Sequence, residues 1–206
     1  GIARLGIVQL CLGAIVVLMT STLNRLMVVE LALPAVLPGA LVALHYGIQI
    51  TRPNWGFLSD TSGKRTFWII AGMAVLAAGG MLAATAVWVI ESAFWPGMLL
   101  NILAYALIGL GVGASGTSLL ALLATATAPA RRPAAATITW LMMIVGIAGT
   151  AGIVGAVLEP YSPERLLRIV GIVAGGAVVV TALAIHGVER RVLAAPDPEE
   201  MPFLEG

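Results

Sequence analysis

Six long apolar stretches, separated by short polar stretches, dominate the pattern along the chain. Each stretch is long enough for the roughly 20 residues that a helix needs to cross a bilayer. Prolines open several of them, where the missing N–H group costs little. The pattern therefore predicts six membrane-spanning helices at residues 5–23, 34–55, 66–88, 97–125, 133–158 and 163–187.

Composition supports the same fold class. Of the 206 residues, 60% are hydrophobic and 10% are charged, and the mean hydropathy is +1.02. A soluble domain carries about 25% charged residues, so we predict an all-α membrane protein. The net charge of +1 gives no reason to expect a nucleic-acid partner. Cys11 is the one cysteine and lies in an apolar stretch, which excludes an intrachain disulfide.

The charges between the apolar stretches predict the orientation. The cations on one side are Arg4, Arg52, Lys64, Arg65, Arg131, Arg132, Arg190 and Arg191. The residues on the other side are Glu91, Glu159 and Glu164, with Arg165 and Arg168 as exceptions. Because Lys and Arg concentrate on the cytoplasmic side of membrane proteins, we expect both termini to be cytoplasmic.

The end of the sequence differs from the rest. Residues 1–191 hold all six predicted helices and form one domain. Residues 192–206 are rich in proline and acids, so they predict a cytoplasmic linker that leads to a second half outside this sequence. Within the fifth apolar stretch, glycines recur every three residues, which predicts close helix packing inside the bundle. These glycines are Gly146, Gly149, Gly152 and Gly155.

Three polar residues lie near the non-cytoplasmic end of the first predicted helix. They are Asn24, Arg25 and Glu30. Arg25 and Glu30 are five residues apart, so they pair only if the backbone bends between them. Two interpretations stay open: a structural ion pair at the membrane interface, or a binding determinant for a lipid head group or a partner protein.

His45 lies about midway along the second predicted helix. A neutral imidazole in the membrane donates a hydrogen bond or ligates a metal such as the magnesium of a chlorin. A packing histidine and a magnesium ligand are therefore both open interpretations. No second histidine or cysteine lies nearby in the sequence, which disfavours a zinc or two-metal site. No nucleophile elbow, P-loop or dinucleotide-binding glycine pattern occurs in a suitable loop, so we expect no enzyme.

The polar stretch between the second and third predicted helices reads GFLSDTSGKR, from Gly56 to Arg65. Its single acid, Asp60, is expected to accept hydrogen bonds from helix-end N–H groups and from the cations Lys64 and Arg65. We therefore predict a cytoplasmic latch. Its residues are Gly56, Asp60, Gly63, Lys64 and Arg65. Together with Leu58, these residues resemble the loop between helices 2 and 3 of the major facilitator superfamily.

A longer segment, residues 22–65, resembles the PucC/LhaA proteins, also called the bacteriochlorophyll delivery family of that superfamily. The matching pieces are Leu23-Asn24-Arg25, Val29 to Pro34, Leu37-Pro38-Gly39, Ala43-Leu44-His45, Arg52-Pro53, Ser59-Asp60 and Gly63 to Thr66. The resemblance implies a twelve-helix facilitator fold of which this chain supplies the N-terminal half. A facilitator half exposes the face that packs on its other half, so we expect the missing half, a second copy or an antenna complex there.

The resemblance also implies a function. Members of this family are assembly factors for the light-harvesting antenna in the inner, intracytoplasmic membrane of photosynthetic bacteria. We therefore expect an assembly factor that binds or delivers bacteriochlorophyll, or that holds light-harvesting or reaction-centre polypeptides, with lipid around it. Two alternatives stay open: a secondary transporter of a small amphipathic solute, and a structural subunit beside the antenna that binds no pigment.

Overall fold

The computed structural model describes residues 1–194. The predicted linker therefore lies almost entirely outside the described residues, which end just after its start. The described residues form nine α-helices, with one π-helical and two 3-10 segments between them. The α-helices are α1 (Ile2–Val17), α2 (Asn24–Val29), α3 (Val36–Ile48), α4 (Arg52–Ser62), α5 (Arg65–Ser92), α6 (Phe94–Thr125), α7 (Arg132–Val157), α8 (Pro163–Ile185) and α9 (Val188–Leu193).

Five helical runs are long and apolar enough to cross a membrane. They are Ile2–Val29, Arg65–Ser92, Phe94–Thr125, Pro129–Val157 and Pro163–Leu193. Four of them, from Arg65 onward, contain or closely overlap the last four predicted spans. The run Ile2–Val29 extends the first predicted span, because the π-helical segment Leu18–Leu23 joins α1 to α2 without a break.

The predicted span at residues 34–55 is not among these five. Its apolar helix α3 has 13 residues, and the 3-10 turn Gln49–Thr51 separates it from α4. All three segments keep right-handed helical backbone at their junctions. The chain is therefore helical from Val36 to Ser62, although its second part is polar.

The polar stretch Gly56 to Arg65 is not a ten-residue loop as its sequence suggests. Most of it belongs to α4, which ends at Ser62, and α5 begins at Arg65. Gly63 ends α4 with a left-handed φ of 61°, a conformation that glycine adopts without a Cβ penalty. The turn is thus reduced to Gly63 and Lys64.

Close packing of α5 against α6 forms the centre of the bundle. A Cβ added to Gly111 would lie 2.6 Å from the backbone nitrogen of Leu76, and one added to Gly72 would lie 2.5 Å from that of Ser115. Rows of small residues allow the two helix backbones to come this close, and such close contact drives helix association in a membrane. Helix α8 packs on both α5 and α1, whereas α3 and α4 pack chiefly on α6, and α7 packs chiefly on α1.

The start of α8 follows the sequence pattern. The Ser162 side chain accepts a hydrogen bond from the Arg165 backbone nitrogen at 3.2 Å. Glu164 lies in the first turn, where a negative charge complements the helix dipole. Ser162 is therefore the N-cap of α8.

Candidate functional site

The contacts of the predicted latch are built around Arg65, the first residue of α5. Its Nη2 donates to Oδ1 of Asp60 at 2.8 Å, and its Nε donates to the same oxygen at 3.1 Å. Its Nη1 donates to Oγ1 of Thr125 at 2.8 Å, at the end of α6. The side chain of Arg65 therefore ties α4 to α6 across the start of α5.

A residue that the sequence pattern did not indicate completes this latch. The Glu189 carboxylate, on α9, accepts from the backbone nitrogens of Arg65 at 2.8 Å and Thr66 at 3.0 Å. These N–H groups belong to the first turn of α5, where a negative charge is favoured. Glu189, and not Asp60, thus accepts the helix-end hydrogen bonds. No local signal identifies it, because it lies 124 residues from Arg65.

The other predicted latch residues occupy three different positions. Gly56 lies within α4 and faces Thr117 of α6, whose Cγ2 would be 3.4 Å from an added Cβ. Gly63 ends α4, and Lys64 precedes the first residue of α5 with its side chain exposed. The structure therefore brings Asp60 and Arg65 into direct contact, while the two glycines shape the backbone around them.

At the opposite end of the bundle, the predicted pair of Arg25 and Glu30 does not form. Arg25 Nη2 instead donates to Oε1 of Glu159 at 3.3 Å, across 134 residues of sequence. Five residues along a helix place the two side chains on different faces, so the nearer acid is the one from the segment after α7. Arg25 and Glu30 therefore do not pair, and Glu159 is the partner that sequence spacing could not identify.

A cavity of about 210 Å³ lies beside this ion pair. Arg25 and Glu30 both line it, together with Glu159 and Tyr161. The Tyr161 hydroxyl donates to Oε1 of Glu91 at 3.2 Å. Burial, followed by the charge of Glu91, raises the pKa of Tyr161, so the phenol stays a neutral donor at physiological pH.

Asn24 does not line this cavity. It is the first residue of α2, directly after the π-helical segment. Of the three polar residues predicted near the end of the first span, Arg25 and Glu30 therefore line the cavity, and Asn24 lies at a helix junction.

His45 lies on α3 with 2% of its surface exposed. Its Nε2 is 3.0 Å from Nε2 of Gln49, one helical turn further on. Its Nδ1 is buried and has no hydrogen-bond partner within residues 1–194. The helix backbone here approaches α6, since a Cβ on Gly109 would lie 2.7 Å from the His45 carbonyl oxygen.

The imidazole of His45 is chemically suited to bind magnesium, but the packing around it is not suited to a pigment that carries the ion. If Gln49 turns its carbonyl oxygen toward Nε2–H, a free lone pair remains on Nδ1. That lone pair is what an axial ligand needs. The 2% exposure, however, leaves no open face beside the ring for a macrocycle. A chlorin reaches Nδ1 only if the groups packed around the ring move apart.

Other metal chemistry finds little support in the described part of the chain. Within residues 1–194, no group of three or more His, Cys, Asp or Glu side chains is placed to hold a metal ion. The one described cysteine, Cys11, is buried in α1 as a free thiol.

The fold and these contacts are those of an all-helical membrane protein with several apolar spans. Polar contacts join the spans at both ends of the bundle. The family model described as "PUCC protein" matches residues 22–205. The chain belongs to this PucC family. No solved structure matches the chain.

Similar curated proteins come from photosynthetic bacteria. The "Bacteriochlorophyll synthase 44.5 kDa chain" of Rhodobacter capsulatus is 70% identical over 207 residues, which cover 100% of this chain and 48% of that protein. "Protein PucC" of Rhodobacter capsulatus is 31% identical, covering 88% of this chain and 42% of that protein. "Protein PucC" of Cereibacter sphaeroides is 30% identical, covering 97% and 46%. The chain thus spans about half the length of the curated relatives it matches.

Proposed function

We propose that this chain is the N-terminal half of an assembly factor for a light-harvesting complex in a photosynthetic membrane. Membership of the PucC family carries the proposal, together with a relative whose name refers to bacteriochlorophyll. The factor binds or delivers bacteriochlorophyll, or holds antenna or reaction-centre polypeptides while they assemble. We propose a non-enzymatic role, although the name of that same relative contains the word synthase.

The surface of α7 supports a role in holding apolar partners. In the most apolar 18 residues of its span only 11% are buried, against 61% for the α6 span. Its exposed side chains are large and apolar, and such a contiguous surface marks an interaction site or a lipid-facing one. These side chains are Ile138, Trp140, Leu141, Ile144, Val145, Ile153 and Val157.

The test is purification of the full-length protein from its native membrane under mild detergent. We expect antenna polypeptides to co-purify, and a bacteriochlorophyll absorption band to accompany the protein if it handles pigment. Co-purified polypeptide without a pigment band would favour the structural subunit. Absence of both, together with uptake of an amphipathic solute into proteoliposomes, would favour the transporter and reject the proposal.

His45 is the proposed magnesium ligand, and it has a matched control. His45→Ala should lower the amount of co-purified pigment, because it removes the Nδ1 lone pair. His186→Ala removes an exposed imidazole after the end of α8 and should leave pigment unchanged. Equal pigment in both variants and in the unaltered protein would exclude His45 as the ligand without touching the proposed assembly role.

The non-cytoplasmic cavity is a second part of this proposal. Arg25 and Glu30 line it with opposite charges, which suits a lipid head group or a polar segment of a partner. Arg25→Gln should reduce co-purification of the partner, while Arg168→Gln, an exposed cation on α8, should not. We also propose that Asn24 contributes through its position at the α2 junction.

A further inference from the structure

A small basic cavity lies at the end of the bundle where α6 ends and α9 begins. Its volume is about 250 Å³, and its lining combines Arg4 of α1 with Arg191 of α9. None of the described residues that line it is acidic. The cavity therefore brings together positive charge from two helices without a carboxylate among those lining residues.

Arg4 is held in place through one of its terminal nitrogens. Its Nη2 donates to the carbonyl oxygens of Leu183 at 3.2 Å and His186 at 2.9 Å, where α8 ends. A guanidinium carries five N–H donors, and Nε and Nη1 of Arg4 donate to no other group within residues 1–194. The side chain is thus anchored at the cavity and still has donors for a ligand.

Arg191 adds a second cation to the cavity. Its side chain is exposed, and neither ion pair of residues 1–194 includes it. The acid nearest to it in the sequence, Glu189, accepts from the backbone nitrogens of Arg65 and Thr66. Because arginine forks bind phosphate through paired, charge-assisted hydrogen bonds, two arginines at one cavity favour a phosphate-bearing ligand.

The cavity lies at the level of lipid head groups. Helix α6 has 32 residues, so at 1.5 Å per residue it is about 48 Å long. The hydrocarbon core is about 30 Å thick, so both ends of α6 extend beyond it into the head-group layers. Thr125, the last residue of α6, lines the cavity.

The remaining lining and the size of the cavity narrow the choice of ligand. Val188 and Val192 of α9 also line it, so an occupant meets apolar side chains as well as positive charge. Sites that enclose a drug-sized ligand measure roughly 300–1,000 Å³, so this smaller cavity fits a head group and not a whole macrocycle. Basic pockets between membrane helices bind the head groups of anionic lipids.

We propose that this cavity binds the phosphate of an anionic phospholipid, held by Arg4 and Arg191, with the acyl chains in the surrounding bilayer. Val188 and Val192 contact the glycerol and the first acyl carbons. The site requires neither pigment nor an antenna partner, so it stands or falls independently of the proposed assembly role.

The first test measures how phosphatidylglycerol stabilises the full-length protein in detergent micelles. Phosphatidylglycerol should raise the thermal melting temperature by several degrees, and zwitterionic phosphatidylcholine should raise it less. Arg191 is the residue to change, because Arg4 also holds the end of α8. Arg191→Gln should weaken the apparent affinity for phosphatidylglycerol about fivefold or more, the contribution expected of one cation at an anionic membrane surface. Arg191→Lys should recover part of the loss.

Arg190→Gln is the matched control. It removes the same charge from the neighbouring position of α9, but Arg190 lines a different cavity, which Glu189 also lines. The apparent affinity for phosphatidylglycerol should therefore stay unchanged. An equal loss in Arg190→Gln and Arg191→Gln would show a diffuse attraction to anionic micelles, and no loss in Arg191→Gln would show that this cavity binds no lipid. Either result would overturn the proposal.

The second test distinguishes a lipid from a soluble phosphate and does not rely on melting. Native mass spectrometry of the protein released from micelles should show retained phosphatidylglycerol, with less retained on Arg191→Gln than on Arg190→Gln. Inorganic phosphate and glycerol 3-phosphate, at matched ionic strength, should not displace it. Displacement by either compound would assign the cavity to a soluble phosphate and overturn the lipid assignment.

Discussion

The α5–α6 pair and α7 are both rich in glycine, yet they use it in opposite ways. Gly72, Gly79 and Gly111 lie where an added Cβ would come within about 3 Å of the facing helix backbone. On α7, Gly149, Gly152 and Gly155 have nothing within 4 Å of that position, and Gly146 alone contacts α1. The predicted close packing along α7 is thus confirmed at one glycine of four.

The α5–α6 contact therefore belongs to the packed core, whereas the glycine face of α7 is an open surface. The α5–α6 contact is complete within the chain, because backbone already occupies the space above its glycines. The α7 glycines leave a smooth apolar face on which another helix can approach closely. We expect substitutions in the first region to change the stability of the chain, and those in the second to change association.

The largest effect should follow Gly111→Ala. The new Cβ would lie 2.6 Å from the Leu76 nitrogen and 2.7 Å from the Gly72 carbonyl oxygen, so the two helices must move apart. Overpacking of this kind costs about 1–3 kcal/mol of unfolding free energy. Gly152→Ala, with open space around it, is the control and should be neutral or slightly stabilising. Reversible unfolding in micelles measures both, and equal effects would remove the distinction between the two regions.

Tyr105→Phe should have the next largest effect on the core. The fully buried Tyr105 hydroxyl on α6 donates to the Met19 carbonyl oxygen at 2.9 Å, within the π-helical segment. Losing a buried hydrogen bond costs about 1–2 kcal/mol. Tyr46→Phe, on the exposed face of α3, should change the unfolding free energy little. A similar small change for Tyr105→Phe would show that the π-helical segment does not depend on this contact.

Glu189→Gln should destabilise the end of the core where α5 begins by about 1 kcal/mol, because it removes a negative charge from the start of α5. The amides of Arg65 and Thr66, which donate to Glu189, should then exchange hydrogen faster. Glu164→Gln removes an exposed acid from the first turn of α8 and should leave those two amides unchanged. Exchange that stays as slow as in the unaltered chain would contradict this role of Glu189.

The apolar pattern predicted the positions of the long helices better than it predicted the polar contacts between them. Predicted spans 66–88 and 133–158 fall close to α5 and α7, because lipid and core select the same apolar residues. Hydropathy missed the continuation of helix into α4, since it measures apolarity and not helicity. The end of α4 depends on the left-handed backbone at Gly63.

The partners of Arg65 and Arg25 could be predicted only in part. Asp60 is near Arg65 in sequence, so local spacing suggested that pair correctly. Glu189 and Glu159 lie more than a hundred residues from their partners along the chain. Their positions depend on how α1, α5 and α8 pack, and single-sequence patterns carry no information on that packing.

The smallest effect on the stability of the chain alone should come from a substitution on the open face of α7. This prediction is also the sharpest test of the comparison between the two regions. Val145 is 61% exposed, whereas Val154 on the same helix is 2% exposed. Val145→Ala should change the unfolding free energy of the chain by less than about 0.5 kcal/mol, as exposed substitutions usually do. Val154→Ala should cost more, because it opens a space in the contact with the rest of the bundle. In the full-length protein the quantity to measure is association with the partner. Val145→Ala should reduce co-purification of the partner, although the chain itself stays folded. A loss of chain stability equal to that of Val154→Ala would mean that this face is already packed, and the division between core and open surface would fail.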